Sequence, residues 1–317
     1  MIEPATRRIG FVLIEGYALM SAAAAVEPLR AANLLAGRAL YEMHFLSSAG
    51  GLCRASVGAG FDTLALEAAG SDYDRVFVVA GGDPLSYRNA RLAAFLRRLA
   101  ARGVALGGIS GGAAILHEAG LLRARRFTIH WQHFDALLAR DPEALMERRL
   151  FVIDRDRFTC AGGAGPLDMM HALIAAEQGA ELARAVSDWF IHTGLRPAED
   201  PQRLDVTMKY GIHHAALAAM IGLMEDHIAD PMELAQLARL SGIGARQLER
   251  LCRQHLGRSV MQFYRDLRLD KARELVTQTT LPVQDIALAT GFPNSAHFAR
   301  MFQQRFGQSS RSLRKGG

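Results

Sequence analysis

Residues 283–306 read VQDIALATGFPNSAHFARMFQQRF, and an equivalent run, MELAQLARLSGIGARQLERLCRQH, occupies residues 232–255. Each is a short helical pattern, a glycine-bearing turn and a second helical pattern. In the earlier run the spacing predicts helices over Met232–Ala238 and Gly244–His255, with Leu240-Ser241-Gly242-Ile243 as the turn. Leu248, Leu251 and Cys252 recur at i, i+3, i+4 and face a core, while Arg246, Glu249, Arg250 and Arg253 share another face. A helix lying in the major groove of DNA needs this arrangement, apolar behind and long hydrogen-bonding side chains in front. An ordinary amphipathic surface helix with a basic face has the same pattern, so one such helix does not decide the matter. The second run does. It predicts a helix over Val283–Thr290, the turn Gly291-Phe292-Pro293, and a helix capped by Asn294 or Ser295. Phe298, Met301, Phe302 and Phe306 form its buried stripe, with Asn294, His297, Arg300 and Gln304 toward the opposite side. A long helix over Val260–Thr277 joins the two units and is long enough to hold their second helices about 34 Å apart, one turn of DNA.

Outward from this pair the helices continue back to Ala216–Ile228, with no convincing strand after Tyr210. Residues 195–205, LRPAEDPQRLD, combine two prolines with mixed charge and no apolar periodicity, which predicts a linker. Before it the character changes. Strands are predicted at Arg8–Ile14, Tyr41–Ser47, Arg75–Ala80 (RVFVVA), Val104–Ile109 and Leu150–Cys160. Helices are predicted at Ala22–Leu35, Arg88–Ala101, Gly112–Glu118 and Gly165–Gln178. Alternating strands and helices indicate an α/β domain with a doubly wound, mostly parallel sheet, and strands apolar throughout are those covered on both faces. The expected organisation is an α/β domain over residues 1–195, a linker over 196–215 and an all-α domain over 216–317. In the 317-residue chain, Leu217–Gly317 holds 14 Lys+Arg and 9 Asp+Glu, leaving 23 of each for the rest. The whole positive surplus thus lies where a polyanion would be met. Cys53, Cys160 and Cys252 are scattered with no CxxC pair, which suits a reducing compartment and argues against a structural zinc site or a disulfide framework. No segment has the length of a membrane span and no signal peptide precedes the first strand, so a cytoplasmic protein without metal or cofactor is expected.

The stretch LERLCRQHLGRSVMQFYRDLRLDKARELV, followed by IALATGFPNSAHFARMFQQRFGQS, closely resembles the AraC/XylS DNA-binding domain over Leu217–Arg314. The resemblance implies that Arg246, Glu249, Arg250 and Arg253 face one major groove and that Asn294, Ser295, His297 and Arg300 face the next. The family commonly ends FGxSPxxYR, whereas this chain has FGQSSRSLR, away from both recognition faces.

In the α/β half, Gly108-Ile109-Ser110-Gly111-Gly112 matches G-x-S-x-G between a strand and a helix. In such an elbow the glycines permit a strained turn that exposes the middle residue, and the amides of the helix start bind an anion. Gly81 and Gly82 follow RVFVVA and line the same strand-end edge, where α/β sheets bind ligands. Two chemistries are open: a hydrolase with Ser110 as nucleophile and His130 as base, or a binding pocket that kept only the geometry. The stretches GGISGGAAILHEAGLLRARRFTIHW, TCAGGAGPLDMMHALI and EPLRAAN resemble the PfpI-type, glutamine-amidotransferase-like (flavodoxin-like) domain of GlxA-type regulators. In that superfamily the enzymes carry cysteine at the elbow. Here Ser110 stands in its place with no convincing acid partner: Asp168 falls within a helix, and Asp135 lies very close in sequence to His130. The binding pocket is therefore the expectation. The ISGG, HW and TCAGG set is closest to regulators responding to carnitine, glycine betaine or arginine, which implies a small amine effector. Trp131 and Tyr17 would offer π faces to its cation, Glu15 a counter-charge, and the amides at Ser110 and Gly111 a seat for a carboxylate. Glutamate often follows HW in that group, and Gln132 here points to a different or less positive ligand. A ligand-responsive, sequence-specific transcription activator, acting as a homodimer on double-stranded DNA, is the resulting expectation. A DNA-tethered amidase and a constitutive DNA binder with a dimerising α/β domain are the alternatives.

Overall fold

The strands of the first half carry apolar residues at both parities and so must be covered on both faces. They are β1 (Arg7–Leu13), β2 (Tyr41–Ser47), β3 (Gly51–Arg54), β4 (Gly60–Ala65), β5 (Arg75–Ala80), β6 (Ala105–Ser110), β7 (Phe151–Asp154) and β8 (Arg157–Cys160). The helices between and after them are α1 (Leu19–Ala36), α2 (Ala90–Ala101), α3 (Gly112–Glu118), α4 (Trp131–Arg140), α5 (Gly165–Gln178) and α6 (Ala180–Trp189). The computed structural model describes residues 6–203, 209–278 and 281–315. The chain divides into two compact units, Met1–Arg203 and Leu204–Gly317.

In the first unit eight strands form one sheet in the order β3-β4-β2-β1-β5-β6-β8-β7. The inner pairs are parallel, and both edges are closed by antiparallel hairpins, β3 with β4 and β7 with β8. Successive residues of a strand serve opposite cores. Phe11, Phe77 and Val79 pack with α1, α5 and α6, while Val12, Val76 and Val78 pack with α2, α3 and α4. The rings of Phe11 and Phe77 stack at 5.7 Å between centroids, joining β1 to β5 at the sheet centre.

Three features depart from the sequence expectation. The single strand expected at Leu150–Cys160 is the β7–β8 hairpin, turning through Asp154-Arg155-Asp156 with Arg155 in the left-handed region (φ 59°). The short hairpin β3–β4 and helices α4 and α6 are additional, the hairpin lacking the long apolar run that marks a buried strand. The third departure is at residues 196–203, expected as linker, which are fixed to the α/β unit by polar contacts. Asp168 on α5, whose side chain has 0% of its surface exposed, accepts from His192 Nε2 at 3.0 Å, from the Arg196 amide at 3.0 Å and from its guanidinium at 2.6 Å. Ala198 O accepts from Leu150 N, and Glu199 pairs with Arg149 at 2.8 Å. Gln202 Nε2 donates toward Thr128 Oγ1, Ile129 O and Arg149 O at 2.8–2.9 Å. Hydrophobic periodicity carries no trace of such a strap, because none of these contacts is apolar.

The second unit is helical: α7 (Ala215–Asp226), α8 (Leu234–Leu240), α9 (Ala245–Leu256), α10 (Val260–Gln278), α11 (Val283–Ala289), α12 (Ser295–Phe306) and α13 (Ser310–Lys315). It holds two cores. Leu217, Met220, Leu237, Leu248, Cys252 and Tyr264 belong to one; Leu269, Ile286, Phe292, Phe298 and Phe302 belong to the other. Helix α10 contributes to both, through Val260–Leu267 and then Leu269–Val276.

Replacing Asp168 with alanine leaves the Arg196 and His192 donors facing an apolar methyl. The expected cost is about 3 kcal/mol of α/β-unit stability, read as a lowered midpoint in urea denaturation, with the helical unit's transition unmoved. A loss below about 0.5 kcal/mol shows that the strap is not anchored there.

Candidate functional site

Two sets of side chains stand out, one in each unit. In the helical unit α8 and α9 form the first helix-turn-helix. A capping box fixes the start of α8, Glu233 and Gln236 exchanging side-chain and backbone bonds, and Gly257 ends α9 in the left-handed conformation (φ 70°). Leu248, Leu251 and Cys252 are buried, while Arg246, Arg250 and Arg253 are exposed and border one groove with Glu249 and Leu234. Glu249 is half-buried and lies 3.7 Å from Arg253, so it orients that arginine from within the same face. The four residues singled out from the earlier run therefore lie together.

The second helix-turn-helix, α11 and α12, begins its outer helix with Asn294 as N-cap, its side chain accepting from the His297 amide at 2.8 Å. Asn294 Oδ1 is thus occupied by the helix itself. Ser295 and Arg300 are exposed. His297 is drawn partly inward, its ring 5.8 Å from Phe292 and its Nδ1 buried, so it is less available to solvent than the spacing suggested. Arg268, which the sequence pattern did not single out, braces the turn. From α10 it donates to Thr290 O at 2.8 Å and to Gly291 O, and its guanidinium lies 4.4 Å from the centre of the Phe292 ring. Burial holds its pKa below the usual arginine value.

In the α/β unit the parallel strands β1, β5, β6 and β8 end along one edge, which brings together Glu15, Gly81, Gly82, Ser110, Gly111 and the Gly162-Gly163 pair. Ser110 has the φ of 57° that a nucleophile elbow requires and is 7% exposed. Two glycines make room for it. A Cβ on Gly112 would collide with Val78 O, and one on Gly162 would lie 2.8 Å from Ser110 Oγ. Gly163 N donates to Ser21 Oγ at 2.8 Å, tying the loop after β8 to the start of α1. Beneath the elbow the Cys160 thiol is fully buried, and that burial pushes its pKa up to about 12, far from a reactive thiolate.

His130 caps α4, its Nδ1 accepting from Gln132 N at 3.3 Å, and among the described residues no hydrogen bond joins it to Ser110 Oγ. Burial, reinforced by the neighbouring His133, lowers its pKa to about 4, so the ring is neutral near pH 7. His133 is lowered by burial as well and is opposed by the exposed carboxylate of Asp83, just after Gly82. Asp83 and His133 went unnoticed in the sequence because neither belongs to a pattern. A nucleophile–base pair is therefore not assembled, and Asp168, spent on Arg196 and His192, supplies no acid partner.

The predicted cation contacts divide. Glu15 is exposed and accepts from Arg54 N at 3.1 Å. Tyr17 is not a ligand face. It is 0% exposed, bridged to Ala55 and tilted against Phe61, because the turn that returns its amide to Ile14 O swings the ring into the core. Trp131 is half-buried, and the Arg203 guanidinium already lies over its ring, 4.5 Å from the centroid. Among the described residues no His/Cys/Asp/Glu group could hold a metal ion, and no helix is long and apolar enough to cross a membrane.

Comparison with known proteins accounts for both units. Residues 7–176 match the DJ-1/PfpI family and residues 237–316 a helix-turn-helix domain. The chain is 44% identical to the HTH-type transcriptional regulator GlxA of Rhizobium meliloti (strain 1021), over 98% of this chain and 96% of that protein. It is 42% identical to the HTH-type transcriptional regulator CdhR of Pseudomonas aeruginosa, over 94% and 89%. A crystal structure of an AraC family transcriptional regulator from Pseudomonas putida superposes with a TM-score of 0.53 at 28% identity, covering 58% of this chain and 99% of that one. These relatives are regulators and not enzymes, in keeping with the unassembled pair at the elbow. The chain belongs to the AraC-type helix-turn-helix transcriptional regulators that carry an N-terminal DJ-1/PfpI domain.

Proposed function

We propose that this DNA-binding regulator responds to a small amine at the strand-end edge of its α/β unit and reads its operator through α9 and α12. The observation that carries this is the preserved elbow: Ser110 keeps a strained backbone and a glycine-lined seat without a base to make it react. Strain of this kind costs of order 1–3 kcal/mol and persists where a site uses it. The Gly111 amide already donates to Ala80 O at 3.1 Å, so the effector's carboxylate would be taken at Ser110. Glu15 and Asp83, both exposed at that edge, would face its cation beside Trp131. The effector acts by binding two states of the protein unequally. In the helical unit, Arg246, Arg250 and Arg253, with Glu249, would face one major groove, and Ser295 and Arg300 the next, with Asn294 and His297 shaping the helix start. As a homodimer, which its family resemblance implies, the protein would present these helices to a two-fold symmetric operator in the cytoplasm.

With an operator selected from random duplexes by the full chain, Arg250→Ala and Arg300→Ala are each expected to weaken binding by about 1–3 kcal/mol. Ser110→Ala should leave ligand-free binding unchanged. Operator affinity unaltered in both arginine variants would mean that these faces do not read DNA. Thermal-shift titration of the full chain with betaines, carnitine and arginine should find a compound that stabilises the α/β transition, by about 2.7 kcal/mol at a hundred times its Kd. No response across the panel removes the amine.

The neutral His130 gives a pH signature. The unfolded imidazole takes a proton near pH 6.5, whereas the folded one waits until about 4, so between these values the unfolded state binds more protons. Stability of the α/β unit should therefore fall as pH drops from 6.5 toward 4. His130→Asn should flatten that slope, and an unchanged slope would show that the ring is not held neutral.

A further inference from the structure

The strap that leaves the α/β unit is held by charged hydrogen bonds at one end and by amide hydrogen bonds and a ring contact at the other. At Arg196 it is bound to a fully buried carboxylate by several charged hydrogen bonds. At its far end Gln202 Nε2 donates toward Thr128 Oγ1, Ile129 O and Arg149 O, and the next residue, Arg203, is exposed and lies over the Trp131 ring. Arg203 is also the last residue of the α/β unit, and the described chain resumes at Lys209 in the helical unit. The half-buried indole of Trp131, beside His130, thus carries a guanidinium supplied by the residue at which the chain leaves the α/β unit. We propose that Arg203 is a built-in cation, seated on Trp131 in the ligand-free protein, and that a small cationic effector displaces it from the ring at the point where the chain leaves the α/β unit.

The chemistry is competition for one π face. A guanidinium and a quaternary or primary ammonium are attracted by the same ring quadrupole, so only one occupies it at a time. The Gln202 contacts limit the release to Arg203 itself, the residue that leads out of the α/β unit. Displacement then becomes a change at the junction with the reading helices, which is what a sensor must deliver. This rests on the amine-binding reading above, and the two can fail separately.

The test uses the full chain in a Trp189→Phe background, where Trp131 is the sole tryptophan. Arg203→Ala is expected to raise acrylamide quenching of Trp131, with Arg203→Lys between it and the parent; equal quenching in all three overturns the contact. In a reporter driven by the selected operator, Arg203→Ala should shift output without amine several-fold toward the amine-saturated value. Trp131→Ala should do the same, and the double variant should add nothing. Reporter output at the parent level in Arg203→Ala overturns the switch. With glycine betaine and arginine as probes, Arg203→Ala should bind about 2- to 30-fold more tightly than the parent, the range set by a cation–π contact. Equal affinity overturns the competition. If neither protein binds any amine while the ligand-free reporter still shifts, the amine reading fails and the restraint by Arg203 stands.

Discussion

A carboxylate with no exposed surface must receive its hydrogen bonds from the chain, and Asp168 receives them from beyond the last helix of its own domain. Residues 192–203 consequently cannot leave the α/β unit freely. They run along it as far as Trp131 before the chain passes to the helical unit. A buried ion pair of this kind is a modest contributor to stability compared with apolar packing. What it does supply is direction. Together with the Gln202 contacts it sets where the last residue of the α/β unit sits, over the Trp131 ring.

The strand-end edge combines a closely packed turn with a rim of polar and aromatic side chains. A Cβ at Gly112 would strike Val78 O and one at Gly162 would strike Ser110, so only glycine fits at either place beside the elbow. Around it stand exposed Glu15 and Asp83, half-buried His130 and Trp131, and the strap end. The same turn serves hydrolysis elsewhere when a thiolate and a base are present. Here the nearby thiol of Cys160 is fully buried at the end of β8, and His130 spends its Nδ1 on the cap of α4. The geometry of a reactive turn has been kept while its chemistry has not been assembled.

Much of this was legible in the sequence, for physical reasons that can be named. RVFVVA announces a doubly covered strand because every one of its side chains but the first is buried. The stripe of Phe298 and Phe302 fixes the buried side of α12, and with it the side left for Ser295 and Arg300. What was hidden depends on contacts without periodicity. Tyr17 looked like a ligand face because an aromatic after a first strand gives no sign of which way its turn folds. The strap looked like a linker because Arg196, Gln202 and Arg203 are held by Asp168, by backbone carbonyls and by an indole far away in sequence. Asp83 and His133 belong to no motif and meet only once the strands have been ordered into a sheet.

Arg268 has a consequence for the DNA rather than for the protein. Its guanidinium is braced from the helix shared by both cores onto the turn of the second reading motif, against Phe292. If both helix-turn-helix units read DNA as proposed, two heads joined through one braced helix would measure distance as well as sequence. Such a reader tolerates a wrong base in either half of its site at modest cost, but it has little tolerance for an inserted or deleted base pair between them. The regulated promoters should therefore drift in letters while their half-sites stay in phase.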